Sequence, residues 1–209
     1  MKKVVTVLSV ALILFLFSTR SSFAQSSMQI GGQIGLNFAT LGGNDSPDGS
    51  SSRTGILLGG FFAYNFAPFF TLQPEILYSA KGASGATQGI NYTFSFNYIE
   101  VPVLLKFLIP LAPGTPVNIN VYAGPDFGFN IASSLNESAG GQTQDIDESN
   151  NTSGFDFNIM FGGGVGFKVG VTNLFVDLRY SLGLGSAATN AIDLKNRVFA
   201  LSVGAGFPI

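Results

Sequence analysis

GFDFNIMFGGGVGFKVGVTNLFVDLRYSLGLG, residues 154–185, decides the fold. From Phe155 to Val169 the odd positions are large and apolar except Gly163, while the even positions are Asp156, Asn158, Met160, Gly162, Gly164, Gly166 and Lys168. A period of two is the mark of a strand with one apolar face. After the tight turn Gly170-Val171-Thr172-Asn173 the alternation resumes. Leu174, Val176, Leu178, Tyr180 and Leu182 now lie on one side, with Asp177, Arg179 and Ser181 on the other. The stretch is a β-hairpin, and its strands exceed the globular norm of about five or six residues.

The same unit recurs on both sides. A first strand is expected over 28–39, a second over 54–65, a third over 69–81, a fourth over 91–109 and a fifth over 117–131. The hairpin supplies the sixth and seventh, and 197–209 the eighth, with Phe199, Leu201, Val203, Ala205, Phe207 and Ile209 on its apolar face. The second strand is greasy on both faces, because Leu57 and Phe61 oppose Ile56, Leu58 and Tyr64. In the third, Pro74 lacks a backbone donor and belongs at a bulge or a weakly paired spot. In the fourth, Tyr92, Phe94, Phe96 and Tyr98 have the parity opposite to Ile99, Val101, Val103, Leu105 and Phe107, which predicts a bulge or an excursion above the membrane. The polar, acidic connection 132–153 reads as mobile.

The connections measure about 13, 3, 9, 7, 22, 4 and 11 residues, so long and short alternate. An even strand number, short turns at one end and longer loops at the other describe a bacterial outer-membrane barrel. The predicted fold is therefore all-β, an eight-stranded antiparallel up-and-down transmembrane β-barrel over 25–209. Both termini fall on the periplasmic side and the long loops face outward. Phe66, Phe69 and Phe207 near the turns, and Tyr78 and Tyr180 toward the loops, are candidates for the two aromatic girdles.

Composition agrees. Charged residues make up 11% of the chain, against about 25% in soluble domains. No apolar run after residue 24 is long enough for a spanning helix, and only helices and closed barrels satisfy the backbone in lipid. A soluble barrel of lipocalin type would show the same alternation inside out. The polar face here, mostly Gly, Ser, Asn and Gln, is too poor in charge for a solvated exterior. The apolar face is too bulky for the interior of eight strands, which side chains only just fill.

Residues 1–24 read as a secretory signal peptide: Lys2 and Lys3, the apolar run Val4 to Phe17, then Ser22-Phe23-Ala24 before Gln25. Fourteen apolar residues fall short of the roughly twenty that a spanning helix needs. The chain has no cysteine, hence neither disulfides nor a lipidated cysteine. Without Lys2, Lys3 and Arg20, seven of the ten basic residues remain against twelve acidic ones, a net charge of minus five. No basic patch is available for nucleic acid.

Several segments resemble the PorT-like outer-membrane β-barrel family, in the same order along about 28–209: Leu72-Gln73-Pro74-Glu75-Ile76-Leu77-Tyr78-Ser79-Ala80-Lys81-Gly82, Tyr98-Ile99-Glu100-Val101-Pro102-Val103-Leu104-Leu105-Lys106, Tyr122-Ala123-Gly124-Pro125 and Asp177-Leu178-Arg179-Tyr180-Ser181-Leu182-Gly183. The resemblance implies an eight-stranded barrel in a Gram-negative outer membrane. Its founding member is linked to protein secretion, a role that does not carry over to relatives whose loops differ.

Parity turns Gln73, Glu75, Glu100, Lys106, Asp177 and Arg179 inward. Counted from the short turns, Glu75, Lys106, Asp177 and Arg179 share a height in the lower half of the barrel. A charge in a narrow lumen must be paired, since an uncompensated one costs several kcal/mol. These residues are expected to form an interior polar network, a plug in which Arg179 contacts Glu75 or Glu100 in bidentate fashion. A conduction path is the alternative, because ionisable groups inside a membrane are functional suspects. The absence of histidine and cysteine excludes most base and nucleophile pairs, so an enzyme is not expected. Asp145 and Asp147 could bind calcium, although a flexible acidic loop is more often simply solvated. Gly162-Gly163-Gly164 with Gly166 is no phosphate loop, because no helix or Lys-Ser/Thr pair follows.

No cofactor is implied. The expected partners are outer-membrane lipid, the barrel-assembly machinery during insertion, and an envelope or secretion complex. The functions that fit are a membrane-structural or surface-interaction protein acting through its loops, a narrow pore, and an accessory subunit of an export machine.

Overall fold

The computed structural model describes residues 28–44, 51–87, 90–112, 114–139, 142–150, 152–187, 189 and 194–209. The expected signal peptide lies outside them. Nine strands follow in chain order: β1 (Met28–Gly42), β2 (Ser51–Ala67), β3 (Phe70–Thr87), β4 (Ile90–Ile109), β5 (Val117–Ala139), β6 (Gln142–Asp147), β7 (Phe155–Val169), β8 (Thr172–Gly183) and β9 (Lys195–Pro208). Consecutive strands pair antiparallel except β6 with β7; β7 pairs instead with β5, and β1 pairs with β9. Eight of the nine thus close on themselves in chain order, and closure removes the sheet edges that lipid could not satisfy.

The opening hairpin shows how local chemistry sets the register. Val169 lies opposite Thr172, leaving Gly170 and Val171 as the loop, and Gly170 has φ 61°. A two-residue hairpin with a positive φ at its first central position calls for glycine. From this turn the ladder runs unbroken to Asn158 opposite Gly183.

The barrel is apolar outside and largely polar within. Ile34, Ile76 and Val203 are 57%, 65% and 50% exposed, whereas Glu75, Lys81 and Arg179 are at most 3% exposed. In water this arrangement would be inverted. The outward row of β9 from Phe199 to Ile209 is apolar at every position, and Arg197 is the first outward charge. Ten residues at about 3.3 Å each, tilted about 40°, rise about 25 Å, the height of the apolar band on such barrels. Phe66 stacks on Phe70 at 6.2 Å, and Phe69 and Phe70 both meet Phe107 at the short-turn end. Tyr180 packs on Phe161 at 5.4 Å toward the loop end.

Three expectations need correction. The segment 132–153 is not simply mobile: β5 runs on to Ala139 and turns back into β6, with Leu135 opposite Ile146. Pairing with β5 holds β6, whose residues are mostly exposed, so no hydrophobic alternation announces it. Second, the aromatic row of β4 needs no bulge in that strand. Its register with β3 keeps the same offset from Phe70 opposite Phe107 to Thr87 opposite Ile90. Phe96 and Tyr98 are simply interior, buried with Leu41 and Ala83 and flanked by Phe94. The register shift lies on β5, where Asn97 faces Ala132 but Tyr98 faces Asn130, leaving Ile131 as the extra residue. The third correction, the partner of Glu100, belongs to the lumen.

Leu57 and Phe61 on β2 are also interior, at 2% and 8% exposure. Pro74 sits where the named pairs between β2 and β3 skip from Phe61 opposite Glu75 to Tyr64 opposite Leu72, a weakly paired spot without a shift.

Candidate functional site

The lumen is filled by two charged layers separated by apolar side chains. At the short-turn end Phe61 meets Phe175 edge to face, with ring centroids 5.6 Å apart. Above them comes the lower polar layer. Gln33, Glu75, Tyr122 and Asp177 each sit five residues in from the turn-end start of their strand, at Met28, Phe70, Val117 and Thr172. Equal counts at a common tilt put them at one height, and inward parity makes them converge.

Arg179 ties this layer together. Its Nη1 donates to Glu75 Oε2 at 2.8 Å, its Nε to Asp177 Oδ1 at 3.1 Å and its Nη2 to Gln33 Oε1 at 2.9 Å. Glu75 also accepts from Gln33 Nε2 at 2.9 Å and from Gln73 Nε2 at 2.7 Å. Lys106 Nζ donates to Gln73 Oε1 at 3.2 Å, and Ser202 Oγ to Gln33 Oε1 at 3.2 Å. The Tyr122 hydroxyl donates to Asp177, and its ring lies 5.0 Å from the Lys106 ammonium and 5.8 Å from the Arg179 guanidinium. Two carboxylates, Glu75 and Asp177, face two cations, Lys106 and Arg179, so the layer is balanced. Six strands, β1, β3, β4, β5, β8 and β9, are joined across the lumen by these bonds.

Five of the six expected network residues, Gln73, Glu75, Lys106, Asp177 and Arg179, therefore meet. Glu100 does not. It lies nine residues from Ile109 along β4, one layer higher than Glu75, and pairs with Lys81. Nor is the contact between Arg179 and Glu75 bidentate, because the guanidinium divides its donors among Glu75, Asp177 and Gln33. Gln33, Tyr122 and Ser202 belong to the network as well. Their inward parity and the count from the turns were the signals for the first two.

Leu57, Leu77 and Ala200 form an apolar cluster above this layer, and Leu104 and Met160 pack on Tyr122 in a second. Between the charged layers a cavity of about 10 Å³ touches Leu57, Lys81, Glu100, Met160, Arg179 and Ser181, room for about one water. The upper layer holds Lys81, Glu100, Asp126, Asp156, Asn158 and Asn196, all at most 1% exposed. Lys81 lies 5.0 Å from the centre of the Tyr98 ring while pairing with Glu100. Asn196 Nδ2 donates to Asp156 Oδ2 at 2.8 Å and to the Tyr98 hydroxyl at 3.3 Å.

Beyond the barrel, Asp145 and Asp147 lie on the exposed strand β6. Hydrogen bonds from Ser149, side chain and then backbone N–H, hold the Asp147 carboxyl below its ordinary range. Among the described residues, no three acidic side chains converge in a way that would hold a metal ion.

A family model described as the outer membrane protein beta-barrel domain matches residues 23–188. Among curated proteins none matches the chain. Of solved structures, Neisserial surface protein A is similar with a TM-score of 0.52 at 12% identity, covering 88% of this chain and 98% of its own. The outer membrane protein OprG from Pseudomonas aeruginosa is similar with a TM-score of 0.54 at 11% identity, covering 88% of this chain and 96% of its own. At such identities the likeness shows the fold alone.

Proposed function

The chain belongs to the outer membrane protein beta-barrel domain family, and from that premise we propose that it is a plugged outer-membrane barrel that acts at the cell surface through its loop end. One observation carries this reading: Arg179, 3% exposed, spans the lumen to Glu75 on the far wall while also holding Asp177 and Gln33. Such a cross-linked layer supports a lumen closed to hydrated ions. With the short turns and termini in the periplasm, the longer connections and the β5–β6 hairpin stand outside. A cleaved leader over 1–24 delivers the chain to that compartment.

The hairpin is the element best suited to a partner. Residues 132–153 carry Glu137, Asp145, Asp147 and Glu148 and neither Lys nor Arg, so the surface they offer is acidic. The role is membrane-structural or one of surface interaction, without catalysis. The PorT-like resemblance is the finer family reading, and it leaves open an accessory place in an envelope or secretion complex.

A narrow pore is the second reading, favoured by charge in both lumen layers. Planar-bilayer recording of the purified, refolded barrel separates the two. The plug predicts no steady openings at either polarity. Reproducible unit steps of conductance would overturn it.

A further inference from the structure

The upper lumen layer is not balanced as the lower one is. Lys81 is the fully buried cation described in it, with the half-buried Arg53 donating to the Lys81 carbonyl, whereas Glu100, Asp126 and Asp156 are three carboxylates, each at most 1% exposed. Two of the acids hold themselves by one oxygen and leave the other free. Ser181 Oγ donates to Asp126 Oδ2 at 3.5 Å, and Asn196 Nδ2 to Asp156 Oδ2. The second oxygens, Asp126 Oδ1 and Asp156 Oδ1, have no donor, and neither do Asn158 Oδ1 and Asn196 Oδ1. Asn158 is fully buried.

These four side chains are neighbours by register. Asp126 on β5 lies opposite Asn158 on β7, which lies opposite Gly183 on β8. Asp156 is two residues from Asn158 on the same face and lies opposite Gly128. At Gly183 the backbone of Asn196 comes too close for a side chain. A Cβ placed there would lie 3.3 Å from Asn158 Oδ1 and 2.7 Å from the Asn196 carbonyl oxygen. One at Gly185 would lie 3.8 Å from Asp156 Oδ1. Asn158 Oδ1 and Asp156 Oδ1 thus face two positions without side chains, Gly183 at the end of β8 and Gly185 just beyond it.

We propose that Asp126, Asp156, Asn158 and Asn196 form a binding site for a hard divalent cation inside the barrel, fed from the loop end. Carboxylate and amide oxygens without donors are the ligands that calcium takes, and calcium accepts irregular oxygen sets more readily than magnesium does. A divalent cation also offsets the surplus of buried carboxylates over buried cations in the layer. Glu100 stays with Lys81, and Tyr98 forms the wall beside Asn196. The site stands whether or not the lumen conducts.

Thermal unfolding of the refolded full chain in detergent micelles, followed by gel mobility with calcium chloride or with chelator, tests it. Calcium is expected to raise the melting temperature on the order of 5 °C at a hundredfold excess over its dissociation constant, magnesium less. Asp126→Asn with Asp156→Asn should abolish the rise, and Asp145→Asn with Asp147→Asn should leave it. Terbium bound to the unsubstituted chain gives a second readout that needs no lumen variant to fold, since Tyr98 should sensitise its emission. Either of two results would overturn the site: melting and terbium emission indifferent to calcium, or a calcium effect lost with the β6 pair. A melting point that falls with rising pH and ignores calcium would overturn it as well, because protons would then be what neutralises the layer.

Discussion

Arg179→Ala is expected to lower the stability of the barrel by about 3–5 kcal/mol, the range for breaking a buried ion pair from one side. The loss comes less from the missing attraction than from what stays behind. Glu75 and Asp177 are both 1% exposed, and without the guanidinium they face each other across the lumen. Glu75 would keep Gln33 and Gln73, and Asp177 would keep Tyr122, but these are neutral donors, and Lys106 alone would face both carboxylates. The double variant Arg179→Ala with Glu75→Ala should lose much less than the two single losses added, since each partner's removal relieves the other's isolation. The exposed Arg197→Ala should stay within about 0.5 kcal/mol. The chain has no tryptophan, so unfolding in urea is best followed by far-ultraviolet circular dichroism and by the mobility of the folded band on gels. Equal midpoints for Arg179→Ala and Arg197→Ala would remove the network from the account.

Val203→Arg should cost about 2–4 kcal/mol in a bilayer, the penalty for arginine on the lipid face near the midplane. Val203 is 50% exposed and lies between Ile34 of β1 and Val176 of β8, near the middle of the outward row of β9. On a protein facing water, a charge at so open a position would change stability by no more than about 0.5 kcal/mol. Val171→Arg supplies the contrast. Val171 is 73% exposed in the two-residue turn between β7 and β8, beyond the apolar band, and arginine there should be nearly neutral. Folding titrations into lipid vesicles measure both. The difference between the two variants matters more than either value, because exposure alone ranks them the other way.

Alternation made most of the barrel legible. Where one face meets hydrocarbon and the other a crowded lumen, each residue in the membrane span of β7, β8 and β9 is chosen for one side, and the period of two is hard to miss. The features that escaped have physical reasons. Tyr92 to Tyr98 form an apolar row on the inner face, and the chemistry of that row matches an outer one. The unbroken ladder with β3 assigns it, and a ladder is not written in a single strand. In β6 the sequence QTQDID lacks hydrophobic alternation because hydrogen bonds to β5 hold it, not burial.

The candidate site was partly legible for a related reason. Parity alone selects the inward residues, and a count from the short turns orders them by height. That count groups Glu75 with Asp177, five residues in, and sets Glu100 higher, nine residues in. Which donor of Arg179 meets which oxygen depends on stagger between strands far apart in the chain. So does the meeting of Gln33 with Ser202, which stand 169 residues apart.

The outward side chains decide everything else, and detergent-free preparation of residues 25–209 tests them most directly. With Ile34, Ile76 and Val203 facing outward on different strands, the chain should give no folded, monodisperse species in plain buffer, and adding micelles or vesicles should convert it to the heat-modifiable folded form. A single folded species sedimenting as a monomer in buffer alone would contradict the account.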